Sequence, residues 1–261
     1  MSQINRIDGG LIDQEKVLNF TFNGQILKGY EGDTLASALL ANNKHLIGRS
    51  FKYHRPRGIV TAGSEEPNAI MEIGNGAYRE PNTRATVTQL YNGLEANSQN
   101  HRGPLSFDFM AITDFLSPLL GAGFYYKTFM WPKAFWEKFY EPAIRKSAGL
   151  GTLATEADPD TYDKGFRHCD ILIIGSGATG LSAALTAAES GAKIILADED
   201  FLMGGRLNSE TNEIDGMAGS EWAKKTVAKL GAMENVTLMS DTTIFGAYDH
   251  GIYGAIENRA S

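Results

Sequence analysis

The chain has 261 residues, with 24 Lys and Arg against 31 Asp and Glu and a formal net charge of −7. This balance excludes a strongly basic chain, so we expect no nucleic-acid partner. The single cysteine, Cys169, excludes an intramolecular disulfide and an all-cysteine metal or iron–sulfur site within these residues, so we expect no metal and no iron–sulfur cluster. Since no stretch has the roughly 18 uncharged apolar residues of a membrane span, we expect no membrane partner. The single cysteine fits a reducing compartment, so we expect a cytoplasmic location.

The first predicted region opens with a hairpin pattern. Val17–Phe22 alternates apolar and polar residues, and Gln25–Tyr30 does so again. Asn23 and Gly24 between them favour a two-residue turn. A helix is predicted next, with Asp33 as its N-cap.

Two further short strands are predicted, over Ala69–Ile73 and Thr86–Leu90. A hairpin followed by a helix and more short strands is typical of a small β-grasp domain of α+β class. We therefore predict a ferredoxin-like domain without a cluster over residues 14–105.

The next region, 106–167, is a connector rich in aromatic residues that ends in an extended acidic linker from about residue 150. A soluble monomer does not leave so many rings in water. They either pack over the flanking domains or form a contact surface for another subunit, and both readings remain open. The rings are Phe107, Phe109, Phe115, Phe124, Tyr125, Tyr126, Phe129, Trp131, Phe135, Trp136, Phe139 and Tyr140.

A glycine-rich turn follows a short apolar run, Ile171–Ile174, which is predicted to be a parallel strand buried on both faces. Gly175 permits a tight turn, and Gly177 lets the backbone approach a diphosphate. Gly180 lets the next helix pack close to the strand. The start of that helix offers free N–H groups to phosphates.

The context strengthens this motif. A helix is predicted from Ala178 to a stop at Gly191, and a second strand over Lys193–Ala197 ends on Asp198 and Glu199. A carboxylate at this point accepts hydrogen bonds from ribose hydroxyls and repels an added 2′-phosphate. NAD or FAD is therefore favoured over NADP.

The remaining elements complete a predicted domain over residues 168–261. A helix capped by Ser220 ends at Gly231, a third parallel strand follows at Val236–Met239, and a hairpin occupies 242–256. Alternating strands and helices indicate an α/β, three-layer Rossmann-type domain that binds FAD or NAD. Its long open sheet edge leads us to expect that the chain is the front part of a longer polypeptide, with the domain incomplete at its C-terminus.

Basic residues cluster in one segment near the middle of the first domain, and a subunit or internal contact is favoured over phosphate binding there. They are Arg49, Lys52, His54, Arg55 and Arg57.

Four runs of sequence resemble the N-terminal part of the alpha subunits of heterotetrameric sarcosine oxidases. They are Gly32–Ala41, Gly48–Gly58, Gly123–Pro132 and Asp198–Phe201. The resemblance covers nearly the whole chain. Wider kin include opine oxidases and hydrogen cyanide synthases, some of which carry cluster-binding cysteines in the first domain.

The resemblance implies a complex with beta, gamma and delta subunits that oxidatively demethylates sarcosine to glycine and hydrogen peroxide, with tetrahydrofolate accepting the one-carbon unit. It implies NAD in this chain, and FAD and FMN mainly on the beta subunit. The alternatives are a subunit of a related FAD-dependent opine or amino-acid dehydrogenase or cyanide-forming enzyme, and a non-catalytic dinucleotide-binding module.

The resemblance also implies which residues contact the dinucleotide, and it places no catalytic residue in this stretch. The implied contacts are Gly175, Gly177, Ala178, Gly180, Asp198, Glu199, Arg206 and Ile244. Of these, Arg206 follows a pair of glycines that can bring backbone amides and a guanidinium near a diphosphate.

Overall fold

The computed structural model describes residues 3, 5–7, 10–127, 129–147, 149 and 151–258, without the side chains of Tyr125 and Tyr126. The chain divides into two compact units, 1–160 and 161–261, each with its own core. Among the described helices, none has the length and apolarity needed to cross a bilayer.

The first unit is built on a five-stranded sheet in the order β2-β1-β7-β5-β6, in which only β1 and β7 run parallel. A separate ladder joins β3 to β4. The strands are β1 (Asp13–Phe22), β2 (Gln25–Glu31), β3 (Gly48–Arg49), β4 (Pro56–Arg57), β5 (Ile70–Ile73), β6 (Glu80–Arg84) and β7 (Glu95–Ser98). The helices are α1 (Leu35–Ala41), α2 (Ile112–Phe115), α3 (Phe124–Lys127) and α4 (Glu141–Ser147).

The predicted hairpin is confirmed. β1 and β2 pair in register up to Phe22 and Gln25, and Asn23 and Gly24 both have positive φ, of 50° and 75°. This is the turn geometry whose twist matches that of the strands. α1 packs against the sheet that contains the hairpin, and Phe20 of β1 is buried with the apolar face of the helix.

The predicted cap of α1 is wrong by one residue. Thr34 is the N-cap, and it forms a reciprocal capping box with Ser37. Asp33 is fully buried and instead accepts hydrogen bonds from the Tyr30 amide and the Ser37 hydroxyl, and it pairs with Arg6. Asp33 therefore links the turn before the helix to the Ser37 side chain in the first turn of α1.

The strand predicted over Thr86–Leu90 does not form. The carbonyls of Ala85 and Thr88 accept hydrogen bonds from Ala36 and Leu35 in the first turn of α1. These amides have no partner inside the helix. The carbonyl of Thr88 is thus bonded to the helix, and the segment forms only an isolated bridge between Gln89 and Thr34.

The aromatic connector consists of short helical turns, including a π-helical turn at Trp136–Tyr140. Some rings pack on one another, such as Phe135 and Phe139 with centroids 5.1 Å apart. Others are largely exposed, including Phe115 and Trp131 at more than 80 %. The side chains of Tyr125 and Tyr126 lie outside the described part of the chain.

The second unit has a parallel three-stranded sheet in the order β12-β9-β8, a small β10-β11 hairpin and a longer β13-β14 hairpin. The strands are β8 (Ile171–Ile174), β9 (Ile194–Ala197), β10 (Glu213–Ile214), β11 (Met217–Ala218), β12 (Val236–Met239), β13 (Thr242–Tyr248) and β14 (Ile252–Glu257). The helices are α5 (Ala178–Glu189) and α6 (Gly219–Gly231).

The central strand β9 is apolar throughout, and its alternate residues face the two sides of the sheet. Ile194 and Leu196 pack with Leu181 of α5 and Leu230 of α6. The βαβ arrangement predicted from sequence is thus confirmed, and it places the glycine-rich turn at the carboxyl end of β8.

Two details of the second unit differ from prediction. β8 was predicted to be buried on both faces, but it lies at the edge of the described sheet and its two end residues, Ile171 and Ile174, are 40 % and 58 % exposed. Ser220 does not cap α6, since the N-cap is Ala218 and has no side-chain hydrogen bond to the helix.

Candidate functional site

The turn from β8 to α5 has the backbone geometry of a phosphate-binding loop. Gly175 has φ of +94°, a conformation that L side chains rarely adopt. A Cβ placed on Gly180 would lie 1.8 Å from the carbonyl oxygen of Gly175, so only glycine allows the helix to start this close to the strand. The two glycines therefore shape the turn from inside the fold.

Gly177 serves a different purpose. Its φ of −66° suits any residue, and a Cβ there would meet nothing within 4 Å. It is also the N-cap of α5, and no side chain caps this helix. Open space in front of an uncapped helix N-terminus favours an anion that accepts the free N–H groups.

A second glycine turn approaches the first one. The Gly204 amide donates to the Ser176 hydroxyl at 2.9 Å. A Cβ on Gly205 would lie 3.2 Å from the Gly177 Cα. The backbones of the two turns thus meet at the carboxyl end of β8. We call the space in front of these turns and of the α5 N-terminus the crevice.

The two predicted acids occupy different environments. Asp198 is buried, and its Oδ2 accepts hydrogen bonds from the amide and the hydroxyl of Ser176, the latter at 2.6 Å. Its Oδ1 accepts from the Asp200 amide at 2.9 Å. Glu199 is exposed, and within the described part of the chain its carboxylate has no hydrogen-bond or ion-pair partner.

The remaining residues that were predicted to contact the nucleotide lie in different surroundings. Ala178 opens α5 beside the glycine turn. Arg206 is 76 % exposed in its side chain and pairs with Glu210 one helical turn later at 2.7 Å. Ile244 lies on β13 and packs with Ile195 on the face of the sheet away from α5 and α6. The structure thus brings the glycines and the acids together, whereas Arg206 is engaged elsewhere and Ile244 is part of a small core.

In the first unit, the basic segment contains a buried hydrogen bond between a histidine and an aspartate. His54 has φ of +54° and its Nδ1 lies 2.5 Å from Oδ2 of Asp108, both side chains being buried. Arg49 donates to the carbonyls of His54, Leu105 and Ser106. Burial would raise the pKa of Asp108, but amide donors at Arg102 and Met110, together with His54, lower it below its usual value.

The rest of this segment contacts the connector. Lys52 lies over the rings of Tyr53 and Phe124, with its Nζ 4.9 and 4.8 Å from the centroids. The Tyr53 hydroxyl donates to the Leu120 carbonyl, and Arg55 pairs with Asp114. These contacts are internal to the first unit, which agrees with the preference for a contact role over phosphate binding.

Asp108→Asn is expected to destabilise the protein by about 2–3 kcal/mol, because it removes a buried charged partner of His54. Asp114→Asn is the matched control, since it breaks the exposed pair with Arg55 and should cost less than about 1 kcal/mol. Urea unfolding of both variants measures the difference. Equal losses of unfolding free energy in the two variants would show that the buried pair stabilises the fold no more than the exposed pair does.

A second buried carboxylate organises the loop before β5. Oε2 of Glu66 accepts hydrogen bonds from the amides of Val60 and Thr61, and Oε1 accepts from those of Asn68 and Ala69. Burial would raise the pKa of Glu66, but the four amides outweigh it and lower that pKa. Sequence analysis did not single out this residue.

Two family models match the chain. One, described as a 2Fe-2S iron-sulfur cluster binding domain, matches residues 15–101. The other, described as an FAD dependent oxidoreductase, matches residues 170–240. These two matches contradict the cofactor prediction, which was NAD and no iron–sulfur cluster in this chain.

The first family model describes a domain that binds a 2Fe-2S cluster, and such clusters are held by cysteine thiolates. The matched residues 15–101 include no cysteine, and Cys169 lies outside the match. In the loop before β5, the backbone amides bind the carboxylate of Glu66. The residues present therefore do not fit thiolate ligation.

The residues of the second match fit the diphosphate and ribose of FAD. The open space at Gly177, the uncapped start of α5 and the free carboxylate of Glu199 lie at the carboxyl end of β8 and β9. Sites for dinucleotides lie at this edge of parallel sheets.

A solved structure, titled as L-proline dehydrogenase from P. horikoshii, has a TM-score of 0.54, with 19 % identity over 94 % of this chain and 38 % of that chain. At this identity the likeness concerns the fold.

Curated relatives named sarcosine oxidase subunit alpha match almost the whole chain. The protein of Rhizobium meliloti (strain 1021) is 58 % identical over 95 % of this chain and 25 % of its own length. That of Corynebacterium sp. (strain U-96) is 32 % identical over 96 % of this chain and 22 % of its own length. The chain thus spans about a quarter of the length of these relatives. Over nearly its whole length the chain is homologous to a part of sarcosine oxidase subunit alpha, and its residues 170–240 match the FAD dependent oxidoreductase family.

Proposed function

We propose that this chain is the dinucleotide-binding part of the alpha subunit of a sarcosine oxidase complex, and that its crevice binds FAD. One observation carries the proposal. Open space lies in front of Gly177 at the N-terminus of α5, and no side chain caps this helix. The FAD-dependent family model over 170–240 supports the choice of cofactor.

The geometry supports a binding role for these residues. Free amides at the start of α5 donate hydrogen bonds to a diphosphate, and the exposed carboxylate of Glu199 accepts hydrogen bonds from a ribose. FAD supplies hydride-accepting chemistry when bound. The described residues of the crevice orient the adenosine diphosphate half of such a cofactor.

For the whole protein we propose oxidative demethylation of sarcosine to glycine with release of hydrogen peroxide, linked to one-carbon transfer to tetrahydrofolate. The name of the relatives, subunit alpha, supports an assembly with further subunits, for which we propose beta, gamma and delta chains. We also propose a cytoplasmic location, on the ground of the single cysteine.

Co-expression of the full-length protein with its partner subunits tests this function. Sarcosine-dependent formation of hydrogen peroxide is expected, together with the visible absorption of flavin in the purified full-length chain. Activity with another secondary amine but not with sarcosine would overturn the substrate assignment. A full-length chain that carries a nicotinamide dinucleotide in place of flavin would overturn the cofactor assignment.

A further inference from the structure

We propose that the loop before β5, residues 58–69, is an anion-binding cradle, and that the carboxylate of Glu66 serves as its anion in place of the cluster that the first family model describes. The cradle belongs to the first unit, so it is independent of which dinucleotide the second unit binds. It accounts for an ordered loop in a domain that matches a cluster-binding family but has no cysteine.

The cradle is built from backbone amides around a buried charge. Glu66 is 1 % exposed. Its Oε2 accepts hydrogen bonds from the amides of Val60 and Thr61 at 2.8 and 2.6 Å, and its Oε1 accepts from those of Asn68 and Ala69 at 2.7 and 3.2 Å. The groups that lower the pKa of Glu66 are all backbone amides. Backbone N–H groups that converge in this way form a site for an anion, whichever molecule supplies it.

The loop is also held by contacts that do not involve the carboxylate. The hydroxyl of Thr86 donates to the Gly63 carbonyl at 2.7 Å, and the Ala85 amide donates to the Ala69 carbonyl at 2.9 Å. Both Thr86 and Ala85 are buried. We therefore expect the four amides to stay near their positions when the carboxylate is removed, and to bind a small anion from solution instead.

A 2Fe-2S cluster and a carboxylate make the same demand on a protein loop. The cluster is held by thiolates, and its sulfur atoms accept hydrogen bonds from the protein. In this chain the four amides of the loop already donate to Glu66. Because this anion is part of the chain itself, the loop is organised without iron.

Chemical rescue of Glu66→Ala with formate tests the cradle. Hydrogen–deuterium exchange of the full-length protein, measured by mass spectrometry on peptides that cover residues 60–69, reports on the four amides. In sodium chloride, the loop of Glu66→Ala should exchange at least about tenfold faster than that of wild type, because its amides have lost a buried charged acceptor. Sodium formate at the same ionic strength should restore most of the protection, and the effect should saturate. The wild-type loop should exchange equally in both salts.

Glu66→Gln is the matched control for the formate effect. Its side chain fills the space that the anion would need, so formate should not slow the exchange of its loop. Equal exchange of Glu66→Ala in formate and in chloride would overturn the proposal, because the amides would then form no anion site. Wild-type protection of the loop in Glu66→Ala without formate would overturn it too.

Glu66→Asp provides a second variant in case Glu66→Ala does not fold. It keeps a carboxylate on a shorter side chain, whereas Glu66→Gln keeps the length and loses the charge. The loop should therefore be better protected in Glu66→Asp than in Glu66→Gln, and the opposite order or equal protection would overturn the proposal. None of these results would contradict the proposed function, which fails only if the wild-type chain carries no flavin.

Discussion

Gly177→Val is expected to weaken ADP binding to the flavin-free full-length protein by about 100-fold, equivalent to about 2.7 kcal/mol. The valine side chain would project into the open space before α5, where the diphosphate must approach the backbone. The φ of −66° at this position is accessible to valine, so the fold should persist. Calorimetry measures the affinity, and circular dichroism and thermal melting measure the fold.

Two further glycine variants make the result interpretable. Gly177→Ala adds only a Cβ that meets nothing within 4 Å, so it should fold and bind ADP with intermediate affinity. Gly231→Ala is the matched control at the end of α6, where a Cβ would make an ordinary contact of 3.5 Å with Leu238. It should bind like wild type. Wild-type affinity in Gly177→Val would contradict the proposed position of the diphosphate.

Glu66→Gln is expected to lower the free energy of unfolding by on the order of 3 kcal/mol. The glutamine amide group cannot accept the two backbone N–H bonds that one carboxylate oxygen now accepts. Urea unfolding measures the loss. Glu65→Gln is the matched control on the adjacent, exposed residue, and it should change stability by less than about 0.5 kcal/mol.

The pH dependence of stability provides a second readout for Glu66. Because its pKa is lowered in the folded state, the carboxylate contributes stability above its unfolded pKa. This contribution is lost as the pH falls through the folded pKa. The difference in unfolding free energy between wild type and Glu66→Gln should therefore shrink on acidification below the ordinary range for glutamate. A constant difference would show that the charge of Glu66 is not what stabilises the loop.

Local patterns predicted much of the fold. Asn23 and Gly24 specify a two-residue turn by their own conformational preferences, and the glycines of the β8–α5 turn do the same. The segment Thr86–Leu90 has a strand-like composition, but the Thr88 carbonyl accepts a hydrogen bond from the Leu35 amide at the start of α1. That interaction is tertiary, and a local pattern does not contain it.

The sequence predicted the position of the candidate site but not the different surroundings of its two acids. The acids at the end of β9 were identified, yet adjacency in sequence does not tell which carboxylate faces Ser176. An acid at this point serves the ribose of NAD and of FAD alike, so the sequence pattern did not distinguish the cofactors.

A crystal structure of the full-length protein with its bound dinucleotide tests the central claim most directly. The account predicts diphosphate oxygens within hydrogen-bond distance of the first amides of α5, beside Gly177, with Glu199 at the ribose hydroxyls. An α5 N-terminus without a diphosphate, and a dinucleotide bound elsewhere in the protein, would contradict it.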